Sequence, residues 1–391
     1  MSSAENTLGA SREASLSRLR AKSARSRLRF LWGLRGVAVF AHALVFASAW
    51  LLGQHIPAVI WLAITLPLGL SRLWNLFADQ PRPRWLVRGI ELVFAHLIGV
   101  LLALALLPVA ALIAWGAGWL RAAPLVASLL GVTVAGYGVF IRRRWLVVRE
   151  VDVPCEELPS ALDGLRVAHL SDLHIGSFDP LSVGLRWADR VNALEPDLVA
   201  VTGDLVTSGT WGYADAAEAL GHISARHGVF VILGNHDQWN AEKFRTELAT
   251  RDVCVLNNAW QAVEVSPGER LLVAGLGDPY TQSADLDRTL AERPDGFTLL
   301  LAHYPSWAER ARDRGVGLVL SGHTHGGQVG VPFLSQRLNV ARMMGQHSRG
   351  LFRLGSMQLY VSAGLGTSGL PIRLGVPPEI VILRLKRVEA R

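Results

Sequence analysis

Asp172 and His174 stand two residues apart where the apolar run Leu165–Leu170 breaks into a loop. Residues two apart on an extended segment point the same way, so the carboxylate and the imidazole can close on one cation. Such a pair alone has little specificity. Its weight comes from four further apolar runs that end in the same manner: Gly203-Asp204, Gly234-Asn235-His236-Asp237, Ala302-His303-Tyr304 and Gly322-His323-Thr324-His325. Glycine precedes Asp204, Asn235 and His323, where a backbone must turn sharply and approach an ion closely. The candidate ligands are Asp172, His174, Asp204, Asn235, His303, His323 and His325. Oxygen and imidazole donors without thiolate suit Mn, Fe, Zn, Co or Ni rather than a structural zinc. That many donors exceed what one such ion takes, and match two ions sharing one carboxylate.

The elements that must carry these loops alternate along the chain. Strand patterns fall at Leu165–Leu170, Leu198–Thr202, Val229–Leu233, Leu271–Leu276, Thr298–Ala302, Leu318–Leu320, Leu359–Ser362 and Ile380–Leu385. Helical patterns lie between them at Leu181–Leu194, Ala214–Arg226, Ala241–Thr250, Asp285–Glu292 and Ser306–Arg314. This predicts an α/β domain with largely buried sheets, whose ligands gather beyond the carboxyl ends of the strands. The C-terminal Gly- and Pro-rich segment still carries strand signals and is expected to close a second sheet.

Upstream the composition changes. The 391-residue chain is 50% hydrophobic and 18% charged, with a net charge of +7 and a pI near 10.0, and the apolar excess sits before residue 150. Cys155 and Cys254 lie far apart without a CxxC, which fits a reducing compartment. Residues 1–29 read as a basic, disordered cytoplasmic tail. Four apolar spans follow, Gly36–Leu52, Ile56–Phe77, Leu92–Trp115 and Leu125–Phe140, predicting an all-α four-helix transmembrane region over 30–145. Arginines cluster in the tail, at Arg72, Arg82, Arg84 and Arg88, and at Arg142–Arg144, whereas the other connections hold only Arg121. The positive-inside rule then puts both ends of the bundle in the cytoplasm, in a multi-pass inner-membrane arrangement, with 146–391 as the cytoplasmic catalytic domain. His42, Glu91 and His96 are polar outliers read as bundle packing. Basic clusters that flank apolar segments point to the lipid bilayer as partner. Nucleic acid is disfavoured, because no basic, aromatic-interleaved patch occurs between Leu165 and Leu385. Nothing in the pattern bears on oligomeric state.

The ordered motifs D-x-H, GD, GNHD, H and GHxH resemble those of the calcineurin-like metallophosphoesterases, over roughly Leu165–Leu385. The layout is also similar to membrane-attached bacterial phosphoesterases through Gly364-Leu365-Gly366-Thr367-Ser368-Gly369-Leu370-Pro371-Ile372-Arg373. The resemblance implies a two-sheet β-sandwich flanked by helices. It implies one divalent ion held by Asp172, His174, Asp204 and His325, and a second by Asp204, Asn235, His303 and His323. It further implies attack on phosphorus by a hydroxide between the ions, with His236 as the catalytic residue at the leaving-group oxygen. Many relatives read G-D-x-x-D, and here Thr207 replaces the last carboxylate, so His236 is expected to be less readily protonated. Asp278 and Arg373 are weaker candidates for contact with substrate; the alternatives are a loop-capping role for Asp278 and a surface or packing role for Arg373. The function so implied is a membrane-embedded phosphohydrolase acting on a phosphomonoester, phosphodiester or pyrophosphate, with a phosphorylated small molecule or a lipid-linked compound as substrate. The alternative is a non-catalytic membrane receptor or scaffold; loss of ligands marks such proteins, and none of the seven is missing.

Overall fold

The computed structural model describes residues 32–33, 36–37, 39–70, 82–176, 178–343, 345 and 347–388. The expected basic tail, 1–29, lies outside the described residues. The chain divides into two compact units, Met1–Phe77 with Gly89–Gly136, and Ala78–Arg88 with Tyr137–Arg391.

The second unit holds two six-stranded sheets. The first runs β1 (Val147–Cys155), β12 (Glu379–Arg387), β2 (Arg166–Leu170), β3 (Leu198–Val201), β4 (Val229–Val231) and β5 (Cys254–Val255). The other runs β10 (Gly350–Leu354), β11 (Met357–Val361), β9 (Leu318–Ser321), β8 (Thr298–Leu301), β7 (Glu269–Gly275) and β6 (Ala259–Ser266). β2, β3 and β4 are parallel, and so are β7, β8, β9 and β11, which brings their carboxyl ends out together within each sheet. Alternate side chains of a strand serve different layers. Val167, Ala200 and Phe230 of the first sheet pack with Val273, Leu299, Leu320 and Tyr360 of the second in an inner core. Ala168, Leu170, Val199 and Val201 face outward onto helices Leu181–Asn192, Tyr213–Gly221 and Ala241–Ala249 through Ala188, Tyr213, Leu220 and Phe244. The second sheet is covered on its far face by Leu286, Leu290, Ala308 and Ala311. Burial on both faces explains why these central strands read as unbroken apolar runs.

The described residues of the first unit are mostly helical. Among the described residues two helices are long and apolar enough to cross a membrane, Arg84–Gly116 and Leu120–Arg144. This corrects the expected four-helix transmembrane region. The other two spans are shorter apolar helices, Val39–Leu51 and His55–Leu70, and residues 71–77 of the second lie outside the described residues. A spanning helix needs about 20 apolar residues, more than the described residues of these two supply. The longer helices pack closely: an added methyl at Gly131 would stand 2.3 Å from the Gly99 carbonyl. The His42 and His96 Nε2 atoms are 2.9 Å apart, with His42 against Trp61.

Residues Tyr137–Arg144 belong to the second unit and are welded into it. The buried Arg143 guanidinium grips both Asp179 oxygens at 3.1 and 3.2 Å, and the Arg373 amide donates to the Gly138 carbonyl at 3.3 Å. The end of the Leu120–Arg144 helix is therefore fixed to the loop that follows Asp172 and His174.

Candidate metal centre

All seven proposed ligands leave the carboxyl ends of parallel strands. β2, β3 and β4 deliver Asp172, His174, Asp204 and Asn235, while β8 and β9 deliver His303, His323 and His325. Asp172, His174, Asp204 and His325 form one buried cluster, and Asp204, His303 and His323 a second, with ligand atoms within 4.8 Å of one another in each. Asp204 is common to both. Its Oδ2 lies 3.7 Å from His174 Nε2 and 3.3 Å from His303 Nε2. His174 and His325 bring their Nε2 atoms to 3.1 Å, with Asp172 Oδ1 at 3.4 Å from the latter. Asn235 Oδ1 joins the second cluster at 3.2 Å from His303 Nε2 and accepts from the Tyr304 hydroxyl at 3.1 Å.

The electrostatics suit cations. Burial pushes His174 down to about 3 and His323 to about 4, and drives His325 well below the ordinary imidazole range. These rings are neutral at pH 7, the form a metal needs. Burial also opposes a charge on His303, but the adjacent Asp204 carboxylate outweighs it and raises the imidazole to about 10. Burial would raise Asp204; the His303 and His236 rings overcome it and hold the group well below the usual carboxylate range. Burial lifts Asp172 to about 6, against the pull of His303. Two carboxylates, one amide and four neutral or displaceable imidazoles fit a pair of divalent ions of the Mn-to-Zn series.

Backbone conformation has been spent on this geometry. Asp172, His174, Asp204, His323 and His325 all adopt left-handed φ, between 47° and 66°. Such residues cost on the order of 1–3 kcal/mol each and persist only where their surroundings over-determine them. Asp237 is one of the determinants, and its role was not legible in the motif. Its Oδ1 accepts from the Leu205 and Val206 amides at 2.9 and 3.1 Å, and its Oδ2 from the Gly234 amide at 2.9 Å, tying the loop after β3 to that after β4. Burial, then the charge of Asp204, pushes Asp237 up to about 8.

Gly234 is the tightest point. A Cβ there would stand 2.3 Å from Asp204 Oδ1 and 2.5 Å from its amide nitrogen. Gly234→Ala is expected to displace Asp204, lowering hydrolysis about 100-fold and stability by about 1–3 kcal/mol. Phosphatase rates and urea melts check this, and a full-rate Ala variant would show that the Asp204 placement is not critical.

His236 is oriented by a group other than the missing carboxylate. Its Nδ1 donates to the Thr207 carbonyl at 2.6 Å, while its amide donates to Asp204 Oδ1 at 2.8 Å. The ring meets His174 edge-on at 4.8 Å between centroids, which leaves its other nitrogen beside the cluster. His303 is fixed the same way, its Nδ1 donating to the Thr202 carbonyl at 2.6 Å so that Nε2 faces Asp204. Asp278 caps the turn Pro279–Thr281 by accepting from the Thr281 amide at 3.1 Å. Burial raises it to about 6, opposed by nearby His303. Arg373 packs inside the fold. It is fully buried, and donates to the carbonyls of Gly366 at 2.6 Å, Ala363 at 2.8 Å, Gly364 at 3.1 Å and Pro377 at 3.3 Å, which leaves its guanidinium inside the fold. The loop it grips touches Asp172, whose carbonyl accepts from the Gly366 amide at 2.7 Å.

Residues 165–327 match the calcineurin-like phosphoesterase family model. An uncharacterized metallophosphoesterase of Bacillus subtilis, YkuE, is 29% identical over 257 residues, covering 64% of this chain and 89% of its own. A transmembrane protein with metallophosphoesterase domain from Danio rerio is 32% identical over 280 residues, covering 67% of this chain. This chain spans 62% of that relative's length. Among solved structures, the sulfate thiohydrolase SoxB of Thermus thermophilus aligns with 53% of this chain and 53% of its own, at 16% identity and a TM-score of 0.36. The chain carries a calcineurin-like metallophosphoesterase domain.

Proposed function

We propose that this chain is a membrane-embedded, dinuclear metal-dependent phosphohydrolase that cleaves a phosphoester or pyrophosphate bond, with a lipid-linked substrate as the favoured class. One observation carries the reading: Asp204 belongs to both ligand clusters, so the chain presents two adjoining cation sites with a shared carboxylate. Asp172, His174, Asp204 and His325 would hold one ion, and Asp204, Asn235, His303 and His323 the other. When bound, such a pair supplies a water of lowered pKa and neutralises the non-bridging phosphate oxygens. The protein's own part is positioning. The Thr207 carbonyl keeps the Nδ1 proton of His236 in place, so its other nitrogen is available to a leaving-group oxygen. Tyr304 steadies the Asn235 amide by donating its hydroxyl to Oδ1.

The membrane part of the proposal is supported by the Arg84–Gly116 and Leu120–Arg144 helices and by the printed name of the Danio rerio relative. Arg82, Arg84 and Arg88 precede the first helix, Arg142–Arg144 end the second, and Arg121 alone lies between. By the positive-inside rule this distribution of arginines favours a cytoplasmic catalytic unit. Since the loop after β2 is clamped to the end of the second helix, substrates resident in the bilayer are the economical choice.

The test is metal binding combined with turnover by the full chain in detergent. Titration with Mn should saturate at two equivalents, and aryl mono- or diphosphoesters should then be hydrolysed. Below about pH 10 the apo site keeps a proton on His303 that the cation must displace, and near pH 6 Asp172 adds another. Apparent Mn affinity should therefore fall about tenfold per pH unit from pH 8 to pH 6, with proton release seen by calorimetry. A single site, or binding indifferent to pH, would remove the dinuclear assignment.

A further inference from the structure

Immediately beyond His325 the chain makes a loop built inside out. Two of its polar residues point inward: Ser335 and Asn339 are buried, Asn339 Nδ2 donating to the Ser335 carbonyl at 2.7 Å and to Ser348 Oγ at 3.1 Å. Its apolar residues point outward. Phe333 is wholly exposed, and Val331, Leu334, Leu338 and Val340 are each about half exposed. The loop is held in this state by its own backbone, with the Val331 amide donating to the Leu338 carbonyl at 2.9 Å and the Leu338 amide to the Leu334 carbonyl at 2.8 Å. A contiguous apolar patch on an ordered loop is a docking surface in want of a partner.

Three observations identify that partner. The first is charge. Arg337 and Arg342 are exposed among the apolar residues, and the sequence has no Asp or Glu between Asp313 and Glu379. Apolar side chains interspersed with arginine suit an anionic lipid interface. The second is placement. The loop stem, Gly330, donates its amide to the Leu374 carbonyl at 2.8 Å, and a methyl at Gly138 would stand 2.9 Å from Leu374 Cδ2. Gly138 belongs to Tyr137–Arg144, the end of the candidate span Leu120–Arg144 that is part of the second unit, so the loop stem packs against that end. The third is its link to the metal centre. A Cβ on Gly327, two residues after His325, would meet the Ala341 amide nitrogen at 2.5 Å and that of Val340 at 2.9 Å, so the returning arm packs directly on the ligand loop.

We propose that residues 331–340 form an interfacial wedge that inserts Phe333 and Leu334 into an anionic phospholipid bilayer and thereby brings membrane-resident phosphoesters to the metal centre. The substrate half of this inference rests on the phosphohydrolase reading above; the docking half stands without it. The wedge grips the acyl boundary with its apolar tips, while Arg337 meets lipid phosphate. Water-soluble esters reach the metals without its help.

The experiment uses the full chain in nanodiscs of phosphatidylcholine, with and without phosphatidylglycerol. Phe333→Cys in a Cys254→Ser background carries an environment-sensitive bimane, and lipids brominated on the acyl chains act as quencher. The expected result is lipid quenching that strengthens with phosphatidylglycerol, and Arg337→Gln should abolish that increment. A label that stays in water in every disc overturns the docking. So does shielding that depends on protein concentration rather than lipid, since a second copy would then cover the loop. For the substrate half, Phe333→Ser with Leu334→Ser should lower kcat/KM about tenfold or more on a phospholipid phosphoester in the disc while leaving a soluble aryl phosphate unaffected. Equal loss on both substrates overturns the presenting role. If the wild-type protein cleaves neither substrate, the phosphohydrolase reading fails while the quenching result still decides the docking.

Discussion

Asp204→Asn is expected to strip metal from both halves of the centre and to reduce phosphoester hydrolysis on the order of 10³-fold. No other side chain belongs to both clusters. The substitution removes the negative charge that His303, at 3.3 Å, and His174, at 3.7 Å, share. It also gives the amide a donor face toward groups that are themselves donors. If the amide nitrogen takes the Oδ1 position, it meets the backbone N–H of His236, which now donates to that oxygen at 2.8 Å. Either rotamer leaves one poor contact in a fully buried pocket, where a polar mismatch costs about 1–3 kcal/mol. Atomic emission should find fewer than two metals per chain, and titration should show the first equivalent weakened as well as the second. Undiminished hydrolysis with two bound ions would mean that the bridging position belongs to another residue.

The second large effect is on stability rather than turnover. Arg373→Met should destabilise the catalytic unit by about 3–5 kcal/mol, because the Ala363, Gly364, Gly366 and Pro377 carbonyls lose their donor inside the fold. Burial lowers the guanidinium only to about 10, so the group is a cation throughout the physiological range and its partners are charge-assisted acceptors. Arg373→Lys should recover only part of the loss, since a point ammonium cannot span acceptors that a planar fork reaches at once. Urea unfolding measures both variants. Because the same loop donates its Leu365 amide to the Ser171 carbonyl at 3.0 Å, a weakened clip should also loosen Asp172 and reduce metal affinity. If instead the Lys variant kept full stability and raised KM alone, Arg373 would be a substrate contact after all.

Much of the domain could be read before any coordinates. Each of the eight strand runs found by pattern corresponds to an observed strand, and five of them, β2, β3, β4, β8 and β9, end in the loops that carry the ligands. The reason is physical: central strands buried on both faces must be continuously apolar, and a metal site breaks that run with Asp, Asn or His. The four strands that pattern did not reveal are β1, β5, β6 and β10, and these are the edges of the two sheets. β1, VVREVDVPC, turns Glu150, Asp152 and Pro154 to solvent on one face with Val151 and Val153 on the other, and β5 is only two residues long. An edge strand needs no apolar run, so it leaves no such mark.

Local sequence determined the order of motifs, the donor types and the buried runs that carry them. The rest required long-range contacts. A string of letters showed Thr207 as a missing carboxylate, but its backbone carbonyl, which every residue possesses, is what holds His236. It left Arg373 between a substrate contact and a surface or packing role, and only the closed fold brings four carbonyls around it. Hydropathy counted four membrane spans where helix length among the described residues supports two. Side-chain chemistry is written residue by residue, but backbone groups acquire their roles only through the turns that aim them, and those turns form when distant strands pack.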